Sequence, residues 1–453
     1  MIAMASLAAC SMEPPLPLSP LPVPPSWPAG DPYLLQSEAP LPAVTYRDVF
    51  RDPRLQTLIV QALANNRDLR VAAANIASAR AQVRITRASQ LPQLDATGRA
   101  TVTGDAGNYA LGLSIPSFEI DLFGRLRSLT RADQQRLVAT EAGARAVRLA
   151  LVGDIADAWL AYAADSSLLG IAADTTASAE KSVRLTKSRL DGGIAPKTDL
   201  LQAQQVLETA KLDLARQRSL KAQDVNLLQL LVGAPINPAN LPGAIEQAAA
   251  TIAPLPAGLD SRVLLRRPDV VQAEFELRAA NAEIGAARAA MFPTISLTSL
   301  LGLASRTLSG LFSSGSFAWS AGANATYPIF RAGAGRARVA QSEAQRNAAL
   351  ASYEKAIQTA FREVADALAD RGTMAEQLRA SGANVAAAAE TLRLVNARYR
   401  GGIDPYLTTL DAQRSLYAAQ RGRVVVARSQ ANNAVALYRA LGADSFIAQG
   451  PFP

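Results

Sequence analysis

From Asp52 onward, apolar residues recur at helical spacing through DPRLQTLIVQALANNRDL and RVAAANIASARAQVRITRASQLP, and the pattern stops at Pro92. The period then drops to two. Leu94, Ala96, Gly98, Ala100 and Val102 alternate with Asp95, Thr97, Arg99, Thr101 and Thr103, a turn-forming Gly104-Asp105-Ala106-Gly107-Asn108 follows, and Leu111, Leu113 and Ile115 alternate up to Pro116. These predict strands over about 94–103 and 109–116, roughly the 10 residues a tilted strand needs to cross a bilayer. Helical spacing resumes after Asp121-Leu122-Phe123-Gly124-Arg125 and lasts to Asp191. Ile155, Tyr162, Leu169, Thr176, Val183 and Leu190 hold a seven-residue interval, and beyond a Gly-Gly break Leu200, Leu207, Leu214 and Leu228 continue it, with Lys221 as the one interruption. A helix of roughly 60 residues would be about 90 Å long, and two of them joined by a tight break read as an antiparallel coiled-coil hairpin.

The same order of elements then repeats. Residues 266–293 match the helix before Pro92 at an offset of 201, placing Val83 on Ile284 and Pro92 on Pro293. Strands are expected at about 294–303 and 317–327 around a Gly/Ser-rich loop, with Pro328 closing the second. Pro92 and Pro293 thus mark helix-to-strand transitions, and Pro116 and Pro328 strand-to-helix transitions. In the second hairpin Leu378, Val385, Leu392 and Tyr399 keep the sevenfold stripe, followed by Ile403, Leu410, Tyr417, Val424, Ala431 and Tyr438. At an offset of 209, Arg393 falls on Arg184, Gly401-Gly402 on Gly192-Gly193, Ile403 on Ile194, Pro405 on Pro196 and Gly442 on Gly233. The chain is an internal tandem duplication, with repeats over 49–235 and 263–442 separated by a Pro/Ala/Asn-rich linker, 236–262, and followed by a tail, 443–453.

Composition narrows the class. Of 453 residues, 49% are hydrophobic but only 5% aromatic, which suits long helices packed through small side chains. The net charge of +8 comes mostly from Arg spread along helices among Asp and Glu, so it describes a solvated helical face and no nucleic-acid partner is expected. With no His and one Cys, His acid–base chemistry, Cys-rich zinc sites and disulfide frameworks are excluded; carboxylate-only metal binding stays formally open, and no cofactor is expected. No nucleophile–base arrangement or phosphate loop points to an enzyme. Residues 1–10 end in Leu7-Ala8-Ala9-Cys10, the form of a bacterial lipoprotein processing site, so a covalent lipid on Cys10 is expected. Residues 11–48 are crowded with Pro and read as an extended tether.

No charge-free apolar run is long enough for a membrane helix, so a membrane crossing would use strands. Four strands cannot close a barrel, which needs at least about 8. Several chains must therefore combine. Phe317, Trp319 and Tyr327 are candidates for an aromatic girdle at the membrane interfaces.

RDPRLQTLIVQALANNRDLRVAAANI, DLFGRLR, RLDGGIAPKTDLLQAQ, LLRRPDVVQAE and RYRGGIDPYLTTLDAQRSLY together resemble, in order and spacing, the TolC/OprM-like outer membrane factors, in particular the lipoprotein branch of resistance-nodulation-division (RND) efflux systems. The resemblance covers the chain from Cys10 to about Gly442. It implies a mainly α protein with a membrane β-barrel: a homotrimer with a twelve-stranded barrel in the outer membrane and a periplasmic tunnel of helical hairpins. Substrates would arrive from an inner-membrane RND-type transporter through a periplasmic adaptor (membrane fusion) protein. It further implies a gate at the hairpin tips. Tyr399 matches a family tyrosine that bonds to a carboxylate on the other hairpin, and Asp199 stands where that carboxylate is expected. Asp411 lies at the position of an acidic ring, and Arg414 resembles the arginine that pairs with it. Asp404 and Thr408 replace a charge-pairing arginine and a second ring aspartate of TolC, so that gate does not carry over whole. Gly192, Gly193 and Ile194, with Gly401, Gly402 and Ile403, are the expected adaptor-docking turns. Metal-ion efflux and type I protein secretion are alternatives within transport, and a soluble coiled-coil scaffold is the alternative outside it.

Overall fold

The structure is a computed structural model that describes residues 12–17, 22–33, 45–104, 106–255 and 261–443. Cys10 and Asp105 lie outside them. The chain begins with α1 (Tyr46–Val49), α2 (Pro53–Asn65) and α3 (Arg67–Ala88), followed by β1 (Asp95–Thr103) and β2 (Ala106–Ile120). The first hairpin is α4 (Arg125–Asp191) and α5 (Lys197–Val232). After α6 (Ile245–Ala249) the order recurs as α7 (Pro268–Ala289), β3 (Thr294–Ser305), β4 (Phe317–Thr326), α8 (Ala334–Arg400) and α9 (Tyr406–Ala440). The residues cluster into two compact units, one with Ala72–Ala144 and Asp269–Ala356, the other with Val23–Val71, Arg145–Pro268 and the chain from Ile357 onward.

In the first unit the strands form one antiparallel sheet in the order β1-β2-β3-β4. The register sets Ala96 beside Leu113, Leu301 and Trp319 in one cross-strand row, and Gly98 beside Leu111, Leu303 and Phe317 in the next. Because side chains alternate along each strand, that face also takes Ile115, Leu297 and Ile295, while the opposite face carries Thr97, Arg99, Ser114, Ser296, Thr298, Ser320 and Asn324. One face is therefore mainly apolar and the other, Leu300 apart, mainly polar, yet the apolar one is uncovered: Leu111, Leu113, Leu301 and Trp319 are between 46% and 70% exposed.

The expected end of the second strand at Pro116 is wrong. β2 runs on to Ile120, and Pro116 sits where the pairing register shifts between Ile115 and Phe118. An irregularity of that kind leaves a residue outside the ladder, so the missing N–H of proline costs nothing there. The strand-to-helix change comes instead at Asp121–Gly124, before α4. The Pro-rich segment is also more than a free tether. Glu13 pairs with Arg131 at 2.6 Å and the Asn281 amide donates to the Pro14 carbonyl within the first unit.

In the second unit, Trp27 stacks on Phe361 at 5.1 Å and Ser261 donates to the carbonyls of Pro24 and Pro25. The duplication shows here as a shared joint. Asn66, buried between α2 and α3, donates its side-chain amide to the Leu231 carbonyl at the end of α5. Arg267, buried just before α7, donates to the Ala440 carbonyl at the end of α9, and 440 is 231 shifted by 209. Each joint satisfies a helix-end carbonyl that has no partner in its own helix. The linker contributes to the core as well: Ile245 and Ala248 of α6 are buried, and Ile252 bridges to Phe50.

Candidate functional site

Each hairpin turn follows from local chemistry. At the end of α4 the amide of Ile194 donates to the Arg189 carbonyl and that of Gly193 to the Leu190 carbonyl; at the end of α8 Ile403 donates to Arg398 and Gly402 to Tyr399. This paired closure requires a left-handed residue, supplied by Gly193 (φ 74) and Gly402 (φ 73). Pro196 and Pro405, both extended, then start α5 and α9. The six residues expected to dock an adaptor, Gly192, Gly193, Ile194, Gly401, Gly402 and Ile403, are all exposed, with Ile194 at 69% and Ile403 at 66%.

Between the hairpins, Tyr399, Tyr406, Leu410 and Ala203 form a buried cluster, extended by Val183 and Val206. The two tyrosine rings lie 5.3 Å apart, and the Arg189 guanidinium stands 4.7 Å from the Tyr399 ring centre while donating to the Tyr399 carbonyl at 3.1 Å. Burial raises the Tyr399 hydroxyl above the usual phenol range, with Arg189 opposing and Asp199 adding to the rise. Tyr406 is pushed up to about 12, chiefly by burial. The expected bond between Tyr399 and Asp199 is not formed within the chain. The Tyr399 and Tyr406 hydroxyls and Thr409 Oγ1 are buried without a hydrogen-bond partner among the described residues. Asp199 lies in the first turn of α5, half-buried, where a carboxylate is favoured by the helix N-terminus. Asp411 and Arg414 face each other at 3.9 Å with side chains 64% and 61% exposed, a geometry that contributes little inside one chain.

Deeper in the same bundle the hairpins are linked by Tyr417, which donates to Asp213 at 3.0 Å, and by Gln413, which donates to Ser182 at 3.3 Å. Arg189, Tyr406 and Tyr417 carry these contacts; the sequence marks Tyr417 only as a member of the sevenfold stripe and does not single out Arg189 or Tyr406. The available signal was position: Arg189 aligns with Arg398 across the duplication, and Tyr406 is the first residue after Pro405. In the sheet, Phe317 and Trp319 stand near the start of β4 and Tyr327 just past its end, so the three candidate girdle aromatics divide between the two rims. Tyr109, opposite Ala100 and Ser305, joins Phe317 at its rim and was also missed. Among the described residues no helix is long and apolar enough to cross a membrane.

A family model described as outer membrane efflux protein matches residues 58–234 and 259–443. The chain is 41% identical over 464 residues to the solvent efflux pump outer membrane protein SrpC of Pseudomonas putida, covering 99% of this chain and 98% of SrpC. It is 39% identical over 449 residues to the outer membrane protein OprJ of Pseudomonas aeruginosa, covering 96% and 93% of the two chains. Among solved structures, the open state of the MtrE outer membrane channel of Neisseria gonorrhoeae superposes with a TM-score of 0.85 at 34% identity, covering 96% of this chain and 98% of that one. The duplicated helix–strand–hairpin plan, the half-apolar sheet and these matches lead to one conclusion: the chain belongs to the outer membrane efflux protein family.

Proposed function

We propose that three copies of this chain form the outer-membrane exit duct of a tripartite pump, passing on small organic molecules that an RND-type inner-membrane transporter delivers through a periplasmic adaptor. The observation that carries this reading is the sheet. Its apolar face is exposed, and β1 and β4 each pair on one side only among the described residues. Unpaired backbone groups cost several kcal/mol each in hydrocarbon, so the edges must meet those of other copies there. Solvents as cargo follow the names of the relatives, SrpC among them. The work of such a duct is passive conduction, without catalysis.

Within this reading, Asp411 from three copies makes a ring of negative charge where the hairpins converge, and Arg414, one turn on, moderates it. Tyr399 serves through its ring, packed on Tyr406 and Arg189, and Asp199 adds its charge at the same tip. The exposed Gly-Gly-Ile turns admit a partner hairpin close to the backbone, Phe317, Trp319 and Tyr327 anchor the two membrane interfaces, and Cys10 carries a lipid. A strain deleted for this chain should accumulate a fluorescent efflux substrate and lose tolerance to toluene, and expression in trans should restore both. Unaltered accumulation and tolerance on deletion would count against the reading.

A further inference from the structure

The two hairpin turns align without a gap, with Arg189 on Arg398, Gly193 on Gly402 and Ile194 on Ile403 at the offset of 209. Their arginines nonetheless behave differently. Arg398 closes a two-pronged ion pair with Asp404 in its own turn, at 2.7 and 2.9 Å. The position equivalent to Asp404 in the first turn is Ala195, which offers no acceptor. Arg189 turns to the other hairpin, donating Nη1 to the Tyr399 carbonyl at 3.1 Å and laying its guanidinium 4.7 Å from the Tyr399 ring centre. That carbonyl also accepts the Gly402 amide at 3.0 Å, the bond that closes the second turn. Arg189 therefore grips the C-terminal end of α8, where a cation is favoured by the helix dipole, and a planar guanidinium suits both the carbonyl and the ring face.

We infer that Arg189 is the positioning residue that ties the first hairpin to the second within each protomer, and that it is free to do so because position 195 carries no carboxylate. Any motion that draws the α4 tip away from the α8 tip must break this contact, so the tie holds the duct closed. This rests on reading the hairpin tips as the closing end of the duct. Arg189 acts through Tyr399 and need not touch cargo. Ala195→Asp supplies the first turn with the partner that Arg398 already has, leaving every atom of the tie in place while competing for the guanidinium.

The test is single-channel recording of purified trimers in planar lipid bilayers, with the heat-dissociation midpoint of the trimer measured alongside. Losing one hydrogen bond and one cation–π contact should raise the open fraction on the order of tenfold in both Arg189→Ala and Ala195→Asp. Arg189→Lys, which keeps the charge and a donor but not the planar stack, should fall between, and Arg398→Ala should stay at the parent value. The dissociation midpoint of Ala195→Asp should not fall, which separates release of a tie from general loosening. If Arg189→Ala and Ala195→Asp conduct like the parent while Asp411→Ala opens the channel, the inference is wrong and the gate stands. If no variant forms channels, the duct reading itself fails and the inference with it.

Discussion

The contacts Tyr399 makes inside the chain run through its ring and its backbone carbonyl, whereas the family resemblance implies a bond through its hydroxyl. Its ring is packed against Tyr406 and Arg189, while its hydroxyl is buried with no partner among the described residues. Removing an unpaired buried hydroxyl is close to neutral, whereas truncating a packed aromatic to alanine costs about 3 kcal/mol or more. Hydrogen exchange at the amides of Gly401 to Ile403 should therefore be little changed in Tyr399→Phe and much faster in Tyr399→Ala; equal acceleration in both would mean that the hydroxyl bond is the one that matters. A second residue-scale device lies further along the bundle. Asp224 is pushed up to about 7, chiefly by burial and next by the charge of the Asp165 carboxyl, with Arg428 opposing. The folded chain keeps a proton that the unfolded carboxyl releases near 3.8, so this stability is complete below that pH and is lost as pH rises through about 7. Asp224→Asn should flatten the decline in the dissociation midpoint between pH 4 and 7 and raise the midpoint at pH 8. A decline as steep as the parent's would contradict the assignment.

At the scale of elements, the duplication makes each turn a control for the other. Only the second glycine of each Gly-Gly pair has positive φ, 74 at Gly193 and 73 at Gly402. A side chain there costs about 1 kcal/mol in backbone strain, so Gly402→Ala should speed protease cleavage at the tip severalfold while Gly401→Ala should not; similar rates would place the strain elsewhere. Much of the element plan was legible in sequence, because period changes at Pro92 and Pro293 report the switch from helix to strand directly. Pro116 misled because a proline inside a strand looks like an ending unless the irregularity that accommodates it is known, and that irregularity depends on the neighbouring β3. The tie from Arg189 to Tyr399 was out of reach for a related reason. Sevenfold stripes fix which face of a helix packs, but not the register between helices whose contacting residues lie 210 positions apart. Family resemblance pointed to Tyr399 and Asp411, and could not say which of their atoms would find partners.

For the whole molecule, the decisive feature is a sheet that is incomplete by itself. The cross-strand rows Ala96, Leu113, Leu301, Trp319 and Gly98, Leu111, Leu303, Phe317 run its full width and reach both edges, so the apolar face continues without a break into whatever adjoins β1 and β4. As a member of the outer membrane efflux protein family, the chain meets that need with further copies of itself, and three times four strands close a twelve-stranded barrel. The most direct measurement is oxidative crosslinking in outer-membrane fractions of chains carrying one cysteine on the polar face of β1, scanned through Thr97, Arg99 and Thr101, and one on β4, scanned through Ser320, Gly322 and Asn324. If β1 of one copy meets β4 of the next in a closed trimer, at least one pair yields covalent dimers and trimers and a ladder that ends at three chains. Monomers alone from every pair, or a ladder that stops at two or runs past three, would contradict the account.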